Sequence, residues 1–230
     1  MFVFDAPEQA SLAVQGSTDR FPIRRIFCVG RNYEAHAREM GKDPTREAPF
    51  FFTKPADAAL DTPCTIPYPK LTEDLHHEIE LVIAIQKGGS NIQKSDVMDH
   101  VWGAAVGLDM TRRDLQGEAK KMGRPWDWGK AFDQSAPIGA IKPIAEVPSV
   151  ENGRIWLAVN GEVRQDADIS DLIWSVCEHI SILSHSIAIA PGDIIMTGTP
   201  AGVGAVVTGD VITGGVDGIG ELEVTIGPRT

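Results

Sequence analysis

The clearest patterns of apolar and polar residues in this chain have the period of a β-strand. Two sets of residues alternate in HHEIELVIAI, with Ile79, Leu81, Ile83 and Ile85 on one side and Glu78, Glu80, Val82 and Ala84 on the other. This alternation predicts a strand with both glutamates on one face, about 7 Å apart between their Cα atoms. The apolar run VWGAAVGLDM predicts a second strand that ends beside Asp109.

Other segments have the spacing of an amphipathic helix. The most regular one covers residues 169–187, where apolar residues recur at intervals of three and four: Ile169, Leu172, Ile173, Val176, Ile180 and Leu183. This stripe predicts a helix that packs against the core. A short helix is also expected after the apolar run RRIFCVG, with Asn32 as its N-cap and Gly41 at its end.

A third helix is predicted to begin after Thr111. The hydroxyl of Thr111 and the carboxylate of Asp114, three residues later, match a variant of the capping box. Gly123 and Pro125 mark the expected end of this helix. The second and third predicted helices both carry polar residues that packing alone does not require.

Turn-forming residues are frequent, with 23 Gly and 15 Pro in 230 residues. Together with the strand-length apolar runs, this composition favours an α+β fold that is rich in β-structure. No repeat, low-complexity tract or flexible linker divides the chain. We therefore expect a short N-terminal segment, residues 1–22, followed by a single domain over residues 23–230.

Charge and missing motifs exclude several classes of protein. Lys and Arg number 21 against 32 Asp and Glu, which gives a net charge of -11, so a nucleic-acid partner is not expected. Because no run approaches the roughly 20 apolar residues of a membrane span and no secretory leader is visible, we expect a cytoplasmic protein without a membrane partner. The motifs GxSxG, HExxH and the P-loop are absent, which removes the usual support for serine hydrolases, zinc peptidases and nucleotide binding.

Three carboxylates form the first candidate site. Glu78 and Glu80 share one face of their predicted strand, and Asp109 follows the next apolar strand. An oxygen-only set of ligands suits Mg²⁺, Mn²⁺ or Ca²⁺ better than zinc. The alternative is that the two glutamates belong to the solvated face of a half-exposed sheet. Val82 and Ala84 on the same face are apolar, which favours the wall of a pocket.

The polar helices supply further candidates. His36 and Glu39 are three residues apart, so a carboxylate could orient an imidazole that takes a proton from water. The alternative is a pair on the protein surface. Arg113 and Gln116 also share a helical face, and they follow Asp109 closely enough to contact a substrate held there.

Two lysines lie in aromatic surroundings. Lys130 is part of WDWGKAF, and Lys54 is part of FFTKP. Each could extend its ammonium group into water past the neighbouring rings. If buried, each could instead place a positive charge beside an oxyanion that develops during a reaction.

Together, these blocks resemble the fumarylacetoacetate hydrolase family. The resemblance runs from about Phe27 to the C-terminus and rests on the motifs CVGRNYEAHAREMG, FFTKP, HHEIELVI, GLDMTRRDLQ, WDWGKAFD, VNGE and PGDIIMTGTPAGVG. It implies a mixed β-sheet rolled into a sandwich with a few flanking helices, usually in a homodimer. The stretch DLQGEAKKMGRPW is similar to the small bacterial members that act on fumarylpyruvate.

The resemblance also implies an activity, namely Mg²⁺-dependent hydrolysis of the carbon-carbon bond of an anionic 2,4-dioxo acid in the breakdown of aromatic compounds. The implied roles are metal binding by Glu78, Glu80 and Asp109, activation of water by His36 and Glu39, oxyanion stabilisation by Lys130 and Gln116, and substrate binding by Arg113, Lys54 and Thr199. Oxaloacetate decarboxylation and isomerisation of a diacid are alternatives within the family. A catalytically inert metal-binding subunit is the alternative outside it.

Two further hypotheses concern the substrate. Arg112 stands where many members of the family have a small residue, and it could meet the second carboxylate of a dicarboxylic substrate such as fumarylpyruvate. An exposed helix position is the alternative for this residue. The helix that carries His36 is expected to close over the site, because the attacking water must be kept away from bulk solvent.

Overall fold

The computed structural model describes residues 1–34 and 47–229. The strands are β1 Ser11–Ala13, β2 Arg20–Pro22, β3 Arg25–Gly30, β4 Phe50–Lys54, β5 Ala59–Asp61, β6 Cys64–Tyr68, β7 Leu75–His77, β8 Ile79–Ile85, β9 Val101–Leu108, β10 Thr111–Arg112, β11 Ala136–Ile138, β12 Lys142–Pro143, β13 Arg154–Val159, β14 Glu162–Asp168, β15 Asp193–Met196, β16 Gly204–Val206, β17 Val211–Val216 and β18 Gly220–Arg229. The α-helices are α1 Arg113–Met122, α2 Asp127–Lys130 and α3 Val176–Ser186, and short 3-10 helices cover Ala56–Ala58, Lys94–His100, Ile144–Glu146 and Ile169–Asp171. Most of the predicted helix after Asn32, including His36 and Glu39, lies outside the described residues.

Two mixed sheets dominate the fold. The larger one has the strand order β4-β3-β15-β8-β9-β11-β5, with β12 paired to β9, and the second has the order β14-β13-β17-β18-β6. Most neighbours are antiparallel, but β15 with β3, β11 with β5 and β18 with β6 are parallel. Two smaller sheets, β10-β7-β16 and β1-β2, complete the structure. The predicted class, α+β and rich in β-structure with mixed sheets, is confirmed.

The central strand β8 separates two hydrophobic cores. Its isoleucines and Leu81 belong to the core shared with the second sheet, where Ile155 and Ile212 are also buried. Val82 and Ala84 face the other core. The alternation predicted for this strand is therefore correct, and both of its faces are covered. The β1-β2 hairpin, within the predicted N-terminal segment, packs against the second of these cores.

The helix predicted over residues 169–187 begins later than the apolar stripe suggests. α3 starts at Val176, because Ser175 and Glu178 form a capping box there. The earlier residues form the 3-10 turn Ile169–Asp171, which has a capping box of its own. Ile169 is buried in this turn, and Leu172 and Ile173 after it are half-buried, so the apolar stripe does not form a continuous helix.

The predicted capping box at the start of α1 is wrong, although the helix itself is present. The carboxylate of Asp114 accepts hydrogen bonds from Thr72 Oγ1 (2.6 Å) and from the amide of Glu73 (3.0 Å), so it ties α1 to the preceding loop. The predicted end is correct, since Gly123 adopts a left-handed conformation with φ of 63°. None of the described helices is long and apolar enough to cross a membrane.

Candidate active site

The antiparallel pairing of β8 and β9 brings the three predicted metal ligands together. Glu80 is paired with Gly107, and the amide of Asp109 donates a hydrogen bond to the carbonyl of Glu78 at 2.9 Å. One carboxylate oxygen from each of Glu78, Glu80 and Asp109 lies within 4.8 Å of the others. All three side chains are buried, with relative exposures of 5%, 1% and 0%. A solvated sheet face, the alternative for these glutamates, is excluded.

Two buried lysines face this cluster. Lys130 Nζ lies 2.8 Å from Glu78 Oε2, 2.5 Å from Asp109 Oδ2 and 2.6 Å from Thr111 Oγ1. Lys54 Nζ lies 2.8 Å from Asp109 Oδ1. Burial disfavours the charge of Lys130, but the carboxylates of Asp109 and Glu78 outweigh this effect and raise its pKa. Neither lysine extends into water, and both are buried.

Glu80 is the least compensated of the three carboxylates. Burial raises its pKa, and repulsion from Asp109 and Glu78 raises it further. The amide of Gly198 donates a hydrogen bond of 2.7 Å to Glu80 Oε2 and acts in the opposite direction. A cation among these oxygens would relieve the repulsion.

The donor set fits a hard divalent cation. It consists of carboxylate oxygens at mutual distances that one ion can span. Asp109 Oδ1 is buried and accepts no hydrogen bond from the described residues, although it forms the ion pair with Lys54. The cluster therefore retains acceptor capacity for a metal.

The first turn of α1 adds two polar groups. Arg113 Nη2 forms an ion pair with Glu78 Oε1, and Arg113 Nη1 donates a hydrogen bond of 2.7 Å to Gln116 Oε1. Arg113 Nε also lies 3.3 Å from His76 Nδ1. Arg113 and Gln116 thus share a helix face beside the carboxylates, as predicted.

These groups line a cavity of about 120 Å³. Its inner part is formed by the carboxylate cluster together with Lys130, Arg113, Gln116 and Thr199. The exposed side chain of Lys120 and the half-buried Arg31 and Trp126 lie at its mouth. The cavity thus has an inner polar part that could hold a metal and an anion. Two further cations, Arg31 and Lys120, lie nearer to solvent.

Two predicted substrate-binding residues lie elsewhere. Lys54 does not line the cavity; it lies behind Asp109 and donates hydrogen bonds to the carbonyls of Met110 (3.2 Å) and Lys130 (2.5 Å). Arg112 is also absent from the lining, since the guanidinium carbon lies 4.4 Å from the centre of the Phe132 ring. The geometry therefore does not support direct substrate contact by either residue.

The two cations at the mouth, Lys120 and Arg31, were not predicted from the sequence. Lys120 lies four residues beyond Gln116 and seven beyond Arg113, so the helical spacing of α1 could have identified it. Its Nζ lies 4.7 Å from the centre of the Trp126 ring. Desolvation and repulsion from Arg113 and Lys130 lower the pKa of Lys120 to about 8. Arg31 follows β3 in a left-handed conformation with φ of 55°, which no local motif indicates.

Comparisons with known proteins agree with this geometry. The model of the family described as fumarylacetoacetate (FAA) hydrolase C-terminal matches residues 25–227. The chain is 45% identical over 186 residues to a fumarylpyruvate hydrolase of a Ralstonia species, covering 81% of this chain and 96% of that protein. It is 42% identical over 205 residues to the mitochondrial oxaloacetate tautomerase FAHD1 of Arabidopsis thaliana, with coverage of 89% and 92%. A crystal structure of fumarylpyruvate hydrolase from Pseudomonas aeruginosa in complex with Mn²⁺ and pyruvate has a TM-score of 0.97 and 52% identity, with both chains fully covered.

Proposed function

Because the chain belongs to the fumarylacetoacetate hydrolase family, we propose that it is a metal-dependent hydrolase that converts fumarylpyruvate, or a related acylpyruvate, to a carboxylic acid and pyruvate. The observation that carries this proposal is the buried cluster of Glu78, Glu80 and Asp109, which faces Lys130 in a cavity with further cations at its mouth. Fumarylpyruvate hydrolases among the relatives support the choice of substrate class. The reaction belongs to the breakdown of aromatic compounds.

Glu78, Glu80 and Asp109 would hold the metal. When bound, a divalent cation supplies a Lewis acid and a template for the carboxylate and neighbouring oxo group of the substrate. We propose Mg²⁺ as the physiological ion, and the Mn²⁺ in the similar Pseudomonas aeruginosa protein supports a divalent cation in general. Metal analysis of protein purified without added ions tests this choice.

Side chains of the protein account for the remaining steps. The sequence resemblance assigns the removal of a proton from the attacking water to His36 and Glu39, which lie outside the described residues. As water adds to the carbonyl at C4, Lys130 and Gln116 stabilise the negative charge on its oxygen. The bond between C3 and C4 then breaks, and the pyruvate part leaves as an enolate that is protonated at C3.

Charge explains why the site would attract a dianion. The three carboxylates are balanced by the charges of Lys54, Lys130 and Arg113, so a divalent cation would make the inner site positive. Arg31 and Lys120 add positive charge at the mouth, where the far carboxylate of a fumaryl group would lie. A substrate such as acetylpyruvate has no second carboxylate that these two cations could bind.

The main test is a panel of substrates with and without EDTA. Fumarylpyruvate should lose its diketo-acid absorbance at least tenfold faster than acetylpyruvate when Mg²⁺ is present, and EDTA should abolish both reactions. Release of one pyruvate per substrate is measured in parallel. If no acylpyruvate is cleaved in the presence of Mg²⁺, the hydrolase proposal fails and the inert metal-binding subunit becomes the better interpretation.

Oxaloacetate chemistry is the second candidate, because the tautomerase of Arabidopsis thaliana is nearly as similar as the Ralstonia hydrolase. The inner site could bind the oxo-acid group of either substrate. Enol-keto exchange and loss of CO₂ from oxaloacetate are therefore measured on the same panel, together with isomerisation of a diacid. A kcat/KM for any of these reactions above that for fumarylpyruvate would reverse the order of the two candidates.

Lys120→Met should weaken the preference for a dicarboxylic substrate. We expect KM to rise about tenfold for fumarylpyruvate and less than threefold for acetylpyruvate, as for loss of a hydrogen bond to a charged group worth about 1.5 kcal/mol. Since the pKa of Lys120 is lowered to about 8, the ammonium loses its proton above that pH, and the wild-type preference should decline there.

Arg112→Ala is the matched control, because this cation is near α1 but does not line the cavity. It should affect the two substrates equally. A selective effect of Arg112→Ala, with none for Lys120→Met, would restore the original hypothesis for Arg112. A homodimer and a cytoplasmic location also belong to the proposal; they rest on the family resemblance and the sequence, and the mass in solution tests the former.

A further inference from the structure

Gln165 is an exception in its strand. β14 is mostly exposed, yet Gln165 is fully buried, with a relative exposure of 0%. A buried amide must satisfy its donors and its acceptor, since each unpaired group costs about 1–3 kcal/mol. The partners of this amide all belong to segments that carry the candidate active site.

The acceptor side of Gln165 connects to the residues on either side of Glu78. Gln165 Oε1 accepts a hydrogen bond from the amide of Ile79 at 3.1 Å and lies 3.1 Å from His77 Nδ1. Because a carbonyl oxygen can only accept, His77 Nδ1 carries a proton that it donates to Gln165.

The donor side of the same amide connects to the loop between β15 and β16. Gln165 Nε2 donates hydrogen bonds of 2.8 Å to Thr199 Oγ1 and 2.8 Å to the carbonyl of Pro200. Thr199 lines the cavity, and Gly198 in the same loop donates to Glu80. A single side chain therefore joins the Glu78 segment to the Thr199 loop.

A β-bulge directs Gln165 to this position. The register of β13 and β14 shifts so that Leu157 faces Gln165 while Ala158 faces Val163, which leaves Arg164 as an extra residue. Gly202 packs against this bulge, and a Cβ atom there would lie 1.9 Å from the carbonyl oxygen of Arg164. Bulges beside active sites commonly redirect a side chain in this way.

We propose that Gln165 is a positioning residue of the active site, which holds Glu78 and Thr199 at their correct separation. It touches neither the proposed metal nor the substrate and acts through these two residues. The inference rests on the proposed function only where kcat for fumarylpyruvate is measured. Partners that orient metal ligands typically change metal affinity by 10–100-fold when they are replaced.

The test is Gln165→Met, which keeps the length of the side chain and removes the amide. We expect the Kd for Mn²⁺, measured by calorimetry on the full chain without substrate, to rise at least tenfold. With saturating Mn²⁺, kcat for fumarylpyruvate should still fall, because Thr199 is displaced. Combining this variant with Thr199→Val should lower kcat by less than the product of the two single effects, since both remove the same connection.

Ser184→Ala is the matched control. Ser184 is equally buried and accepts from Ile92 and donates to Ser181, but it lies in α3 away from the cavity. This variant should lower the melting temperature and leave Mn²⁺ affinity unchanged. If Gln165→Met behaves in the same way, with Kd within threefold of wild type, the proposal is overturned.

Gln165→Asn provides the same test if the methionine variant does not fold. It retains an amide that is too short to reach both segments, so a smaller rise in Kd is expected, and an unchanged Kd would overturn the proposal. Mn²⁺ binding is measured without substrate. A wild-type protein that binds Mn²⁺ but cleaves no acylpyruvate would therefore contradict the proposed function. The positioning role of Gln165 would still be decided by the Kd for Mn²⁺ of the variants.

Discussion

Replacing Glu80 by glutamine is expected to abolish metal binding and to raise the melting temperature of the metal-free protein. Glu80 is buried beside Asp109 and Glu78, and both its burial and their repulsion raise its pKa. A neutral amide removes the repulsion and can still accept the hydrogen bond from Gly198. It is a poor ligand for Mg²⁺, however, and the cluster loses one of its three carboxylates.

The pH dependence provides a second readout of this variant. A carboxyl group whose pKa is higher in the folded than in the unfolded state lowers stability as the pH rises above the unfolded value, which is about 4.3 for Glu. The metal-free wild type should therefore lose stability relative to Glu80→Gln as the pH rises above this unfolded value. Thermal unfolding in EDTA measures the difference, and calorimetry with Mn²⁺ measures the lost binding.

Asp109→Asn is the informative comparison, because it also removes a ligand but has the opposite effect on stability. Asp109 is paired with both Lys54 and Lys130. Breaking a buried ion pair by removing one partner typically costs about 3–5 kcal/mol. A Glu80→Gln variant that binds Mn²⁺ normally, or that unfolds as early as Asp109→Asn, would contradict the assignment of Glu80.

The carboxylate cluster could be predicted from the sequence because it depends on local rules. The period of a strand places Glu78 and Glu80 on one face, and the end of the next apolar run places Asp109 beside them in an antiparallel pair. The helical spacing of Arg113 and Gln116 was equally informative. Each of these positions follows from the geometry of one or two adjacent elements.

The rest of the site depends on contacts between distant segments. Lys54 in an aromatic run could face substrate, water or a carboxylate, and only the packing of β4 against the Asp109 segment selects the last. Arg112 directly precedes Arg113, which lines the cavity, but its guanidinium packs on the ring of Phe132 instead. Gln165 lies in a polar hairpin whose bulge has no sequence signature. The start of α3, by contrast, has a local signal in the capping box of Ser175 and Glu178, and it was missed because the apolar stripe continues into the preceding turn.

Lys130→Met should separate catalysis from metal binding. Lys130 Nζ contacts Glu78 and Asp109, so its positive charge competes with a divalent cation for the same carboxylates. Removing this charge should leave Mn²⁺ affinity equal or higher. The variant nevertheless lacks the cation proposed to stabilise the oxyanion, and loss of one such donor typically lowers kcat by about 10²–10³. Calorimetry with Mn²⁺ and the rate of pyruvate release at saturating metal measure the two effects.

Lys54→Met should give the reverse pattern. This lysine pairs with Asp109 and with the carbonyl of Lys130, but it does not line the cavity. Unlike Lys130, it holds the Asp109 segment in place through the carbonyls of Met110 and Lys130, so its loss should displace a proposed metal ligand. Mn²⁺ affinity should therefore fall, while kcat at saturating Mn²⁺ changes less than tenfold. Equal losses of kcat in the two variants would show that Lys130 acts on the structure of the cluster and not on the reacting oxygen. Because both lysines contact Asp109, a disturbance of this aspartate would lower kcat in both variants. A hundredfold loss of kcat in Lys130→Met alone would therefore indicate that Lys130 itself contacts the substrate.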